Sequence, residues 1–385
     1  MHSLNITGGN VLLGTGETAR LALPIADGLI GQLDQALPGG LTLEAHGLLV
    51  LPGIVDIHGD AFERQLQPRP GVEFPPAIAL RDTEAQLLAN GITTAFHGIT
   101  LSWEPGLRSL DAWRAILDAL GAETWVCDMR VHLRWEAYNL DALETALSDI
   151  EAGRVHLLAF NDHTPAILRK IEDPVSGAKY SDRAGMSLDA FSALARRVAS
   201  REAAVPAGLE RLASAAHAAG VPMASHDDAS LADRHRFRAL GARICEFPMS
   251  AEVGQAARAA GEFVVMGSPN VVRGRSHLGW ASAATMAEAG ICNILSSDYY
   301  YPAMAQAALI LAARGVLDLA RAWSLIAATP AAAAGLTDRG VIETGKRADL
   351  VLLDPATRRL VATVAGGRIA HLTAEGAARI RSQPA

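Results

Sequence analysis

The middle of this chain alternates short apolar runs with longer Ala-rich segments, and few folds accommodate that pattern. Runs at 54–58, 92–97, 124–133, 155–160, 221–226, 242–247, 262–266 and 291–296 read as strands, short and apolar. Between several of them, amphipathic stretches at 107–120, 140–151, 188–219 and 251–260 read as helices. Strands that alternate with helices pair in parallel, and eight is the number that closes a (β/α)8 TIM-like barrel. An open doubly wound sheet is the competitor, lowered because no glycine-rich dinucleotide fingerprint follows a strand. With 385 residues, half of them hydrophobic, the chain can bury the core that a barrel needs.

The two ends have another texture. Turn signals recur through 1–50, at Gly8-Gly9, Gly14, Gly16, Asp27-Gly28 and Pro38-Gly39-Gly40, which indicates hairpins rather than helices. At the other end, 347–354 and 360–364 read as strands followed by Gly366 and Gly367. Neither end makes a core alone. They are expected to pair as one small β domain, from 1–51 and 340–385, beside a barrel spanning 52–339.

A net charge of -7 disfavours nucleic acid and anionic membranes as partners. Cys127, Cys245 and Cys292 are widely spaced, which suggests a reducing compartment and buried thiols. No basic segment followed by a long apolar run opens the sequence, so a cytoplasmic protein is expected.

Chemistry collects at the strand ends. His58 and Asp60 close the first strand, Glu136 follows the third, His163 the fourth, His226 the fifth and Asp298 the eighth. In a β/α barrel these ends meet at one mouth. Imidazole nitrogen and carboxylate oxygen suit zinc, and a set this large can hold one or two divalent ions. A single such histidine is most often a satisfied polar residue; five strand ends with the same chemistry are harder to dismiss. By contrast, His2, His46, His217, His235 and His371 lack that context and read as surface or packing residues. Asp227 and Asp228 are candidates to orient His226 or to cap the next helix.

The segments 51–58 and 340–353 resemble the flanks of the barrel in the amidohydrolase superfamily, which implies a metal-dependent barrel beside a β-sandwich built from both termini. More narrowly, segments 68–71, 91–94, 132–134, 162–163, 224–229, 246–248, 267–274, 276–277 and 295–300 resemble the diphosphatase family of the carbon-phosphorus lyase pathway. Two departures from the superfamily stand out. Asp60 occupies a place where many amidohydrolases have a second histidine, and Glu246 replaces another, which bears on the second metal position.

The resemblance implies His58, Asp60 and Asp298 around one ion, His163 and His226 around another, and Glu136 as a bridge, a solvated loop residue or a partner that supports a ligand from behind. The implied reaction cleaves a ribose 1-methylphosphonate 5-triphosphate to the 5-phosphate and pyrophosphate, with Asp298 as proton acceptor. So charged a substrate needs cations, for which Arg69, Arg134, Lys179, Arg273, Arg275 and His277 are candidates. The expected partner is this small phosphorylated substrate; a homodimer is admitted by the resemblance alone. A hydrolase or deaminase acting on a C–N bond is the alternative, and a barrel that has lost catalysis a third reading.

Overall fold

The computed structural model describes residues 3–38, 40–69, 71–274 and 282–382. Eight parallel strands form its centre: β1 (Ile54–Gly59), β2 (Ile92–Leu101), β3 (Asp128–Glu136), β4 (Leu157–Asn161), β5 (Met223–His226), β6 (Ile244–Glu246), β7 (Phe263–Gly267) and β8 (Ile294–Ser296). Each pairs in parallel with the next, and a parallel bridge between Gly59 and Asp298 joins β8 to β1. This is a closed (β/α)8 barrel.

Its interior is layered by the two-residue period of a strand. Ala224, Ile244 and Ile294 belong to a buried apolar cluster that the helix Ala328–Ala333 covers with Ala331 and Ala333. One step of two residues along the same strands gives His226, Glu246 and Ser296. The apolar floor thus becomes a polar mouth within one pleat. In β1 the pairing register shifts between Asp56 and Gly59, so Ile57 joins the apolar cluster while the adjacent His58 still turns to the mouth.

The outer helices follow from amphipathic spacing. In Leu110–Gly121, the Ser109 side chain caps the start by accepting the Ala112 N–H. Trp113, Ile116, Leu117 and Leu120 recur three and four apart and pack on the barrel. Truncating Trp113 to alanine costs about 3–5 kcal/mol on that basis.

Both termini contribute to two further sheets. One contains Leu4–Thr7, Leu23–Ala26, Leu29–Ile30, Leu41–Glu44 and Ile380–Ser382. The other contains Asn10–Leu12, Thr18–Arg20, Leu49–Pro52, Leu350–Asp354, Arg359–Ala365 and Arg368–Leu372. Leu4, Ile6, Leu23, Val50, Leu350 and Val361 share their core. This sandwich is bonded to the barrel: the Trp323 indole donates to the Pro52 carbonyl at 2.9 Å, and the Thr363 hydroxyl to the Leu88 carbonyl at 2.7 Å.

Two local readings of the sequence need correction. The third strand begins at Asp128, not at residue 124, because the Glu84 carboxylate takes the Val126 and Cys127 N–H groups at 2.6 and 3.1 Å, away from any ladder. The stretch 188–219 is two helices, Leu188–Ala199 and Val205–Ala218, with a proline in the first turn of the second. Two further helices, Thr164–Lys170 and Pro174–Ala184, precede them. Among the described residues, no helix is long and apolar enough to cross a membrane.

Candidate active site

Glu246, the last residue of β6, is fully buried at the mouth. Its Oε2 lies 3.0 Å from His58 Nδ1 and 3.3 Å from His226 Nδ1, and its Oε1 lies 3.8 Å from His132 Nε2. The His58 and His226 rings stack with centroids 5.2 Å apart, and Phe247 sits edge-on to both. Phe247, Asp227 and Asp298 all adopt positive φ, at 51°, 58° and 55°. Left-handed backbone in such residues costs about 1–2 kcal/mol each, so three strand ends are held in strained turns that aim side chains at the mouth.

Burial opposes charge throughout this nest. It pushes His58 and His132 down to about 3 and Glu246 up to about 7. His58 Nδ1, His132 Nε2 and Glu246 Oε1 are buried and have no hydrogen-bond partner among the described residues. His58 Nδ1 and Glu246 Oε2 are close, but not at the angle that a hydrogen bond requires. Neutral imidazoles and a carboxyl group, crowded and unpaired, are the donor set of a divalent metal, and the residues fit such an ion. Among the described residues, two groups have ligand atoms close enough to share one: His58, His226 and Glu246, and His163, His226 and Asp227.

His163 begins the second group. Its Nδ1 lies 2.6 Å from Glu136 Oε1, and its backbone N–H donates to Glu136 Oε2 at 3.3 Å. Glu136 therefore spends both oxygens on His163 and fixes that ring, which turns Nε2 toward Asp227 Oδ2 at 3.5 Å. Burial works against charge on His163, but the Glu136 and Asp227 carboxylates outweigh it and raise the imidazole to about 9. Asp228, next to Asp227, faces the other way: its Oδ2 accepts from Ser225 Oγ at 2.8 Å and from Arg234 Nη1 at 3.2 Å.

Arg134 projects from β3 between the groups, with Nη1 3.4 Å from Asp60 Oδ2 and Nη2 3.0 Å from His226 Nε2. Asp298 lies beside the same acids; burial, then the charge of Asp60, raises its carboxyl to about 7, against the pull of Arg134. Below it, Asp56 Oδ1 accepts the backbone N–H of Ser297 at 3.0 Å and of His58 at 3.3 Å.

Of the residues expected from the sequence, His58, Asp60, Arg134, Glu136, His163, His226 and Asp298 thus converge on the barrel mouth. Arg69 and Lys179 are exposed and have no ion pair among the described residues. Arg273 is exposed and donates to the Tyr299 hydroxyl at 3.2 Å. His277 and Arg275 lie outside the described residues. Sequence reading undervalued Glu246, noticed only as a missing histidine, and did not single out His132. The signal for both was present: His132 and Arg134 are two apart on one strand, as are Ile244 and Glu246. It also missed Arg108, whose pKa the carboxylates of Glu63, Glu104, Glu136 and Asp60 raise against burial.

A closed barrel with histidines and carboxylates at its strand ends, flanked by a sandwich from both termini, defines the class. Residues 77–371 match the amidohydrolase family, and the chain belongs to that family of hydrolases. Over 323 residues it is 32% identical to the α-D-ribose 1-methylphosphonate 5-triphosphate diphosphatase of Escherichia coli (strain K12), covering 80% of this chain and 84% of that protein. Among solved structures it is similar in fold to molinate hydrolase, at TM-score 0.65 and 15% identity, over 96% of this chain and 94% of that one. It is likewise similar to the β-aspartyl dipeptidase of Fervidobacterium islandicum AW-1, at TM-score 0.62 and 13% identity, over 96% and 98% of the two chains.

Proposed function

We propose that the protein hydrolyses α-D-ribose 1-methylphosphonate 5-triphosphate to the 5-phosphate and pyrophosphate, using a divalent metal, of which zinc suits the donors best. The observation that carries this reading is the 32% identity to the Escherichia coli diphosphatase over 80% of the chain. The metal ligands are drawn from His58, Asp60, His163, His226, Glu246 and Asp298, with Glu136 positioning His163. When bound, such an ion supplies Lewis acidity and lowers the pKa of water toward neutrality.

The chain's own residues then divide the work. Asp298, raised to about 7, accepts the proton of the attacking water, near the pH at which a base is most effective. The new bond joins the water oxygen to the phosphorus nearest the ribose, and the bond to pyrophosphate breaks. Arg134 offsets charge inside the mouth, with Arg69, Lys179, Arg273 and His277 as cations for the outer phosphates.

Purified, metal-loaded protein should release pyrophosphate from this triphosphate and neither ammonia nor acid from amides and aminated rings. Amide hydrolysis without pyrophosphate release would overturn the proposal.

A further inference from the structure

A second cavity, of about 400 Å3, lies between the loops that follow β2 and β3 and the helix Leu188–Ala199. None of the candidate metal ligands lines it. It is nevertheless a neighbour of the mouth, because the backbone N–H of Asn139, in its lining, donates to the Glu136 carbonyl at 2.9 Å. Its volume falls within the range of about 300–1,000 Å3 usual for small-molecule sites. Trp103, Leu110, Leu194 and Val198 give it apolar walls.

The charges around this cavity do not cancel. Asp141 Oδ1 is met by Arg201 Nη1 at 2.5 Å. Glu104 is buried and met by Arg183, which reaches it from the helix Pro174–Ala184. Arg197, on the lining, is exposed and has neither an ion pair nor a side-chain hydrogen bond among the described residues. One cation is left over.

Hydrogen-bond donors are left over too. Asn139 is 4% exposed, and its Nδ2 has no acceptor among the described residues. Ser102 is equally buried; its Oγ accepts the Glu104 N–H at 3.2 Å, and its hydroxyl proton has no acceptor there. Each unmet buried donor costs about 1–3 kcal/mol until an acceptor reaches it. Ser109 and Leu110 add the N-terminus of the 12-residue helix Leu110–Gly121, where partial positive charge collects. An anionic oxygen satisfies such donors and the spare charge together, whereas a neutral molecule satisfies the donors alone.

We propose that this cavity is a second ligand site, for a small organic oxyanion: a phosphate or carboxylate head carried on a single ring. The head is taken by Arg197, the Asn139 amide and Ser102, and the ring by the apolar wall of Trp103, Leu194 and Val198. This goes beyond the hydrolytic reading of the mouth and does not depend on it.

Phenyl phosphate and benzoate are the probes, which separate the two heads, and phenol is the neutral control. Each is titrated by calorimetry into chelator-stripped protein, so that no metal in the mouth competes for the anion. At least one anion should bind, and phenol should bind at least about tenfold more weakly. Arg197→Glu, at an exposed position, should weaken the anion about 10–100-fold. Leu194→Trp fills the cavity and should abolish binding, while Asp298→Asn, in the mouth, should bind as wild type does. No anion bound by wild type, phenol bound as tightly as the anions, or affinity unchanged in both Arg197→Glu and Leu194→Trp would overturn the proposal. So would loss of the anion in Asp298→Asn with full binding in Arg197→Glu, which would place it in the mouth. Pyrophosphate release enters none of these outcomes, so the proposed reaction stands or falls separately.

Discussion

The backbone N–H of Asp298 donates to the His58 carbonyl at 3.0 Å, and the Asp298 carbonyl accepts the Asp60 N–H at 3.0 Å. The bonds that close the barrel between β8 and β1 therefore also set the spacing of three candidate site residues. Any change that loosens this seam should act on the site before it acts on the fold as a whole.

Asp56 braces that seam through Ser297 and His58. Asp56→Ala leaves two buried N–H groups unpaired, and each costs about 1–3 kcal/mol. Urea unfolding should show a loss on the order of 2–6 kcal/mol, with zinc affinity reduced as His58 is released. Wild-type stability in the variant would mean that the seam does not depend on this carboxylate.

Arg234 is fully buried against Asp228 at 3.2 Å and Glu262 at 3.3 Å, and donates to the Ala242 carbonyl at 2.9 Å. Arg234→Met leaves the buried Asp228 without a cation, while Glu262 keeps Arg238, and should destabilise the protein by about 3–5 kcal/mol. Asp227 belongs to the mouth instead, so Asp227→Asn should leave the unfolding midpoint nearly unchanged. Equal destabilisation by the two variants would contradict this division of the acidic pair.

His97 on β2 is buried, and burial pushes it from 6.5 down to about 4. A histidine depressed by folding contributes stability that is fully present above 6.5 and is lost as pH falls toward 4. Between pH 7 and pH 5 this one group should remove on the order of 2 kcal/mol. Urea titrations of wild type and His97→Asn should differ in pH slope by that amount. Parallel slopes would show that His97 is solvated in the fold.

Asp298→Asn keeps the shape of the proposed proton acceptor and removes its basicity. The turnover number should fall by about 100–10,000-fold, with a smaller change in KM. A variant with wild-type turnover would take Asp298 out of that role.

The barrel, and much of its mouth, could be read from spacing. The step of two that carries Ala224 to His226 and Ile294 to Ser296 is visible as apolar strands ending in polar residues. What could not be read depends on contacts between distant segments. The register shift in β1, the capture of Val126 and Cys127 by Glu84, and the insertion of Arg134 between Asp60 and His226 leave no local pattern. Glu246 was hidden for a different reason: it was compared with an expected histidine, whereas its burial among three imidazoles makes it the centre of the nest.

The central claim is tested most directly by phosphorus NMR of α-D-ribose 1-methylphosphonate 5-triphosphate incubated with zinc-loaded protein in oxygen-18 water. The account predicts unlabelled pyrophosphate together with a 5-phosphate that carries the heavy oxygen. Intact triphosphate, or label in the pyrophosphate, would contradict it.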